Sequence, residues 1–346
     1  MHPRFAALAL SLPAALALAA APARAQADTV RADTARADTI VYVPASYRAL
    51  NLGVISIGNS REWTGLRINT RDHDVRRVNG VNLTLWMPKR NPRFEMNGVA
   101  VGLLAPVARH INGVAAGGFG VVATEDINGV AVSGVVTLAR EKIRGVALGG
   151  IAVVGDRGID GIAASTLVTL AEGDVHGITA SGLVSVVEGR HTGISGGLVG
   201  TYTNGELTGA SVAGLAAAVR GNSHGALGGG LVVLGANGTL NGIQLGGLGV
   251  LADTVNGVTV GGLVVQAAKV RGFSASLVRT QTSALEGISV SAWNDVRGTQ
   301  RGLAIGLFNY ARDISGVQIG LLNYVRNNRK GLRLLPVFNT RFPSRE

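Results

Sequence analysis

The chain has 346 residues, a formal charge of +11, 51 glycines and no cysteine. The missing cysteines exclude disulfides, thiolate metal sites, cysteine catalysis and a lipid-anchored N-terminal cysteine. Charged residues are only 15% of the chain, against about a quarter in an ordinary globular domain, so the many Val, Ile, Leu and Ala residues need an apolar place to go.

The first 25 residues read as a secretory signal peptide. A short basic start, "MHPR", precedes the apolar run "FAALALSLPAALALAAAPA", and Ala23-Arg24-Ala25 supplies a small-residue cleavage site before Gln26. No other stretch reaches the ~18 unbroken apolar residues of a spanning helix. Residues 26–39, with "RADTARADT", are polar and duplicated and read as a disordered linker. Residues 40–96 hold Trp63, Trp86 and clustered charge, nine basic against four acidic, and read as an N-terminal cap.

A repeat then occupies residues 97–330. A polar residue followed by glycine starts each unit, at Asn97, Asn112, Asn128, Arg144, Asp160, His176, Thr192, Thr208, His224, Asn241, Asn256, Arg271, Glu286, Arg301 and Ser315. Partial copies stand at Asn79 and Lys330. With the glycine as position 1, position 2 is aliphatic in nearly every unit, as in Val130 and Ile178. Position 4 is apolar or small, and positions 5 and 6 are mostly Gly or Ser. A second apolar run and a polar turn such as Arg140-Glu141-Lys142 complete the unit.

Alternation at period 2 with Val and Ile is a strand signal. Two or three interior glycines per unit, each costing up to about 1 kcal/mol in a helix, exclude helical solenoids. The expected fold is therefore all-β: a β-solenoid of 15–16-residue coils, stacked about 4.8 Å apart. The alternative is an outer-membrane-type antiparallel β-barrel with one unit per strand. Against it, residues 97–270 contain only Phe119 and Tyr202 as aromatics, where a barrel carries aromatic girdles. Residues 331–346, containing Pro336 and Pro343, read as a C-terminal cap.

No catalytic, cofactor-binding or metal-binding residue is assigned. Gly118 to Ala123 and Gly247 to Ala252 match G-x-G-x-x-A, but the dinucleotide fingerprint needs a following helix, and here glycine recurs with the repeat. His176 and His224 stand three units apart, roughly 14 Å in a stack, too far to share one ion. His110 and His191 are read as solvated turn residues. Asp72-His73-Asp74, beside Arg71, Arg76 and Arg77, is the one local cluster of ligand-type side chains, and it reads as charge pairing. A carbohydrate-active solenoid enzyme would need carboxylates in a groove; the acids Glu172, Asp174 and Glu188 fall in turns instead.

The last units are the most regular: "GLAIGLFNYARDI" at 302–314 and "GVQIGLLNYVRNNRKG" at 316–331. Their register would stack Asn309 on Asn323 and Tyr310 on Tyr324. These units, followed by "GLRLLPVFN", resemble the bacterial surface-repeat proteins of spirochaetes and other Gram-negative phyla. The resemblance covers about 97–340 and weakens in the middle units, which lack the Asn-Tyr pair. It implies an exported protein of the outer membrane or cell surface and carries no enzymatic activity with it. The expected role is structural or interactive, without cofactor. The expected partners are envelope components, such as anionic glycans or lipid headgroups meeting the basic ends, with membrane association and without nucleic acid.

Overall fold

A computed structural model describes residues 49–89 and 91–342. The leader expected over 1–25 and the linker expected over 26–39 lie outside them. The described chain is a succession of strands with no α-helix, only a single 3-10 turn at Lys330–Leu332.

The solenoid has about 16 turns. A typical coil contains one long strand, Ile127–Ser133, and one short strand, Val136–Ala139, joined by a tight corner. The long strand pairs in parallel with Ile143–Gly149 of the next coil, and the short strand with Ala152–Gly155. Parallel pairing with equivalent residues in register rules out the antiparallel barrel, whose neighbouring strands must reverse.

Register is carried by glycine. Gly129 pairs with Gly113 behind it and Gly145 ahead of it. The column continues without exception from Gly65 and Gly80 to Gly302 and Gly316. The parallel stack thus begins inside the segment read as a cap, since Glu62–Asn69 and Arg77–Thr84 already pair as coils.

The change of period has a structural reason. In 16-residue coils the turn is three residues long, as at Arg140-Glu141-Lys142, and interrupts the strand. In 15-residue coils it shortens to two, as at Asp253-Thr254, and the strand runs through it as Gly249–Gly261. The single 17-residue step, from Gly225 to Gly242, places its extra length where the register shifts between Gly235 and Thr239, with Asn237 at φ 58°.

The interior tapers. Beside the polar turn it is filled by the residue preceding each polar-Gly pair, including Ile111, Ile127, Ile143, Ile159 and Leu207, all buried. Further in, the positions facing the cavity are small: Ala115, Ala131 and Ala147, then Thr179, Ser195 and Ser211. Several buried hydroxyls are paired, while those of Ser181, Ser223 and Ser274 are not. Ser133 and Thr137 lie 2.9 Å apart and Thr137 donates to the Leu148 carbonyl, a pattern repeated two coils on by Ser165 and Thr169. At the far corner the walls nearly touch: a Cβ on Gly149 would sit 2.0 Å from the Ala152 oxygen.

Each end of the stack carries an antiparallel strand. Ala49–Leu52 folds back on Ile55–Gly58, and Leu334–Arg341 lies along Phe308–Val325. Such strands occupy edges that would otherwise template further pairing.

The glycine column is expected to be intolerant. Gly193 has φ 137°, and a Cβ there would lie 1.9 Å from the Gly177 oxygen. Gly193→Ala is expected to cost about 2–3 kcal/mol or more, through backbone strain and displaced ladder bonds. Gly196, where a Cβ meets nothing within 4 Å, is the control and should change stability by less than about 0.5 kcal/mol as Gly196→Ala. Hydrogen exchange across residues 177–209 and thermal unfolding of both variants measure the difference.

Candidate functional site

The surface divides into two unlike parts. Between Asn97 and Val270 every charged residue sits in the polar turn or at the polar position before the column glycine. His191 is the only titratable histidine, acid or base of that segment to lie inside. The outward positions of both strands, and the corner joining them, are mostly aliphatic or small, with Phe119, Tyr202 and Gln266 as exceptions. Val130, Val132, Ile162, Ile178 and Ile194 all face out. The corner residues are the most exposed: Leu198 at 73% and Leu277 at 74%. The apolar residues were expected to fill a core; instead the larger aliphatics mostly face outward and the smaller or hydroxyl-bearing residues inward.

The polar edge is a ladder of contacts between successive coils. Asn97 donates to Asn79, Asn112 to Asn97 and Asn128 to Asn112, each at 2.9 Å, and Arg144 donates to Asn128 at 3.0 Å. Ion pairs step the same way: Arg109 to Glu125 at 2.6 Å, Arg157 to Glu141 at 2.5 Å, Lys142 to Asp160 at 3.5 Å. The hydrogen bond from Arg109 holds the Glu125 carboxyl below its ordinary pKa and raises that of the guanidinium. Arg271 does the same to Glu286. Exposed pairs of this kind contribute little each, about 0–1 kcal/mol.

The acids considered for glycoside chemistry belong to this edge. An Asp174 oxygen accepts the Arg190 amide at 2.7 Å, and Glu188 accepts from Asn204 at 2.9 Å. The two glycine fingerprints lead into the strands Gly120–Ala123 and Gly249–Gly261, with no helix to receive a pyrophosphate. His176 lies 3.1 Å from Asp160, and its column runs through Thr192 and Thr208 to His224. His110 starts the strand His110–Gly117 at the same edge, with Glu125 at 2.9 Å. Among the described residues, no three His, Asp or Glu side chains converge as a metal site would require.

Asp72 makes the expected charge pairing, but buried rather than at the surface. It is buried and paired at 2.5 Å with Arg67, itself fully buried. Asn69, Asn82 and Thr84 also donate to Asp72, and Arg67 reaches Asn82, Asn59 and Ser60. In the first coils this network shares the interior with the buried Val75, Val78, Phe94 and Met96. The pattern R-x-N-x-x-D gave no signal, because Arg67 and Asn69 alternate as a half-buried strand would.

His191 also departs from a turn. It begins the strand His191–Gly197 and occupies the core column between Val175 and Leu207. Neither ring nitrogen has a hydrogen-bond partner.

At the C-terminal end the predicted stacking is present. Asn294 donates to Asn309 and Asn309 to Asn323, each at 2.7 Å, inside the coil. Outside it, Tyr310 and Tyr324 stack with ring centres 5.6 Å apart and planes 6° from parallel. Arg279 lies over the Trp293 ring at 4.5 Å and pairs with Asp295.

Two expectations follow. Asp72→Ala leaves Arg67 buried and unpaired and should cost about 3–5 kcal/mol, whereas Arg67→Met with Asp72→Leu should recover much of it; denaturant unfolding read over residues 55–102 checks both. For His191, desolvation lowers the imidazole pKa below its ordinary 6.5. The folded chain then binds fewer protons than the unfolded chain below that value, so stability falls as pH drops. His191→Leu should remove that part of the loss as pH falls through about 6.5, measured as the shift in urea midpoint.

No family model matches the chain, and neither a curated protein nor a solved structure matches it.

Proposed function

We propose that the chain is an exported, non-enzymatic repeat protein of a Gram-negative envelope, with a structural or interaction role at the outer membrane or cell surface. One observation carries this reading: between Asn97 and Val270 charge is confined to one edge of a long, regular scaffold, while both sheet faces stay largely apolar. That distribution suits a boundary between water and an apolar phase better than a soluble substrate site, which is concave with a few convergent polar groups. The leader-like residues 1–25 and the resemblance of residues 302–339 to spirochaete-type surface repeats support the same reading.

Binding to anionic glycans or headgroups belongs to the two basic ends. Residues 40–96 carry nine basic and four acidic residues, and residues 271–346 carry eleven and four. The middle, 97–270, has eight and ten and is close to neutral.

Expression of the full chain in a Gram-negative host tests the reading. The expected product begins at Gln26 by mass spectrometry and fractionates with the envelope, while a chain lacking residues 2–25 stays in the cytoplasm. An uncleaved full chain in the cytoplasmic fraction would sink it.

A further inference from the structure

The geometry points to the apolar part of the solenoid lying within one leaflet of a lipid bilayer, its axis in the membrane plane and its charged edge at the headgroups. This deepens the envelope reading proposed above and rests on it for the presence of a membrane.

The first reason is the shape of the apolar surface. It covers the outer face of the long-strand ladder, turns the corner through Phe119, Leu198 and Leu277, and continues over the short-strand ladder. A flat partner, or a second copy, would cover one face and leave the other face and the corner in water. A fluid hydrocarbon phase covers all three at once.

The second reason is depth. From position 2 to the corner, as from Val130 to Val135, the chain advances five residues, roughly 16 Å at ~3.3 Å each. Half of a bilayer's ~30 Å hydrocarbon core is about 15 Å. The wedge therefore fills one leaflet and stops where charge begins.

The third reason is the backbone. Hydrocarbon tolerates only amides that are already bonded. At the corner, Gly134 donates to Gly117, and both Val135 and Val136 donate to Phe119, at 3.1, 2.8 and 3.1 Å. The next coil repeats this with Gly150, Ile151 and Ala152. In these two coils the corner thus presents no free N–H.

The fourth reason is the placement of tyrosine. Tyr202 lies on an outward short-strand position near the polar edge, and its hydroxyl reaches toward that edge to Asn204 at 3.2 Å. An amphipathic ring with its polar end directed at the headgroups is the arrangement found at membrane interfaces.

The chain has no cysteine, so single-cysteine variants report one site each. Leu198→Cys marks the corner and Arg157→Cys the charged edge; both are exposed, at 73% and, for the arginine side chain, 70%. Each full-length variant, carrying an environment-sensitive dye, is diluted from mild detergent into phosphatidylcholine vesicles. Vesicles with acyl chains brominated at mid-leaflet should quench the Leu198→Cys dye and leave the Arg157→Cys dye nearly unchanged. Adding Leu215→Glu and Leu231→Glu should lower vesicle partitioning by about tenfold or more, with circular dichroism unchanged. Equal quenching at both sites, or none at either, overturns the proposal. So does burial of the Leu198→Cys dye by self-association in lipid-free buffer, with vesicles failing to disperse the assembly. Because these vesicles are made in vitro, a cytoplasmic location in cells would count against the envelope reading without altering this result.

Discussion

The carbonyl oxygen of each column glycine lies where the Cβ of the next coil's residue would have to be. At Gly145 the distance from such a Cβ to the Gly129 oxygen is 2.2 Å, and φ is 118°. Both facts exclude a side chain, one by collision and the other by backbone conformation. With glycine fixed there, successive long strands can only stack in one register, because a one-residue slip would put an aliphatic residue into the column and turn every side chain to the other face. Everything else inherits that register: the asparagine ladder on the edge, the isoleucine column inside and the leucines of the corner.

The same constraint decides what the interior can hold. Walls that meet at Gly149 and Ala152 leave room mainly for Ala, Ser, Thr and Val over the cross-section, with Ile or Leu beside the polar turn and Leu227 as the inner exception. A thin interior buries little apolar area per coil, so the backbone ladders and hydroxyl pairs carry more of the stability than in a domain with a thick core. Where the small-residue rule lapses, polar ladders take over. Asn294, Asn309 and Asn323 fill the late coils with amides that bond to one another and to nearby carbonyls, and Asn294 also accepts from Ser289 and Ser291. Arg67 and Asp72 do the equivalent at the start.

Much of this was legible in the sequence, and for a physical reason. Glycine spacing reports backbone register directly, so the coil, its length and its parallel stacking follow from the clock of polar-Gly pairs. The Asn309–Asn323 and Tyr310–Tyr324 stacks follow from the same arithmetic. Which face looks inward does not follow. Period-2 alternation distinguishes two sets of positions without saying which is inside, and here both sets are uncharged. Val130 and Val132 look like core and are surface; Ala131 and Ser133 look like filler and are core. The fate of His191 was hidden for a related reason: it ends a polar turn, and only its alignment with Val175 and Leu207 moves it into the core. The shortening of the turn from three residues to two, which fuses the late strands, was visible as a period of 15 but carried no structural meaning until the strands were traced.

Charge along the axis adds a last constraint. In the middle coils, bases and acids pair from one coil to the next and nearly cancel, so the edge there projects little field beyond a Debye length of about 8 Å. The unbalanced charge sits at the two ends, with a net +5 over 40–96 (nine minus four) and +7 over 271–346 (eleven minus four). A rod basic at one end only would be turned end-on by an anionic surface. A rod basic at both ends is held at two points separated by most of its length, roughly 75 Å for sixteen steps of ~4.8 Å, and so lies flat. The neutral middle then meets the surface through whichever side costs least to desolvate. That side is the aliphatic corner, which carries no charge in the middle coils and, at 134–136 and 150–152, has every amide bonded. On the membrane reading proposed above, orientation would come from the ends and depth from the middle, and both trace back to where the repeat allows side chains to be charged.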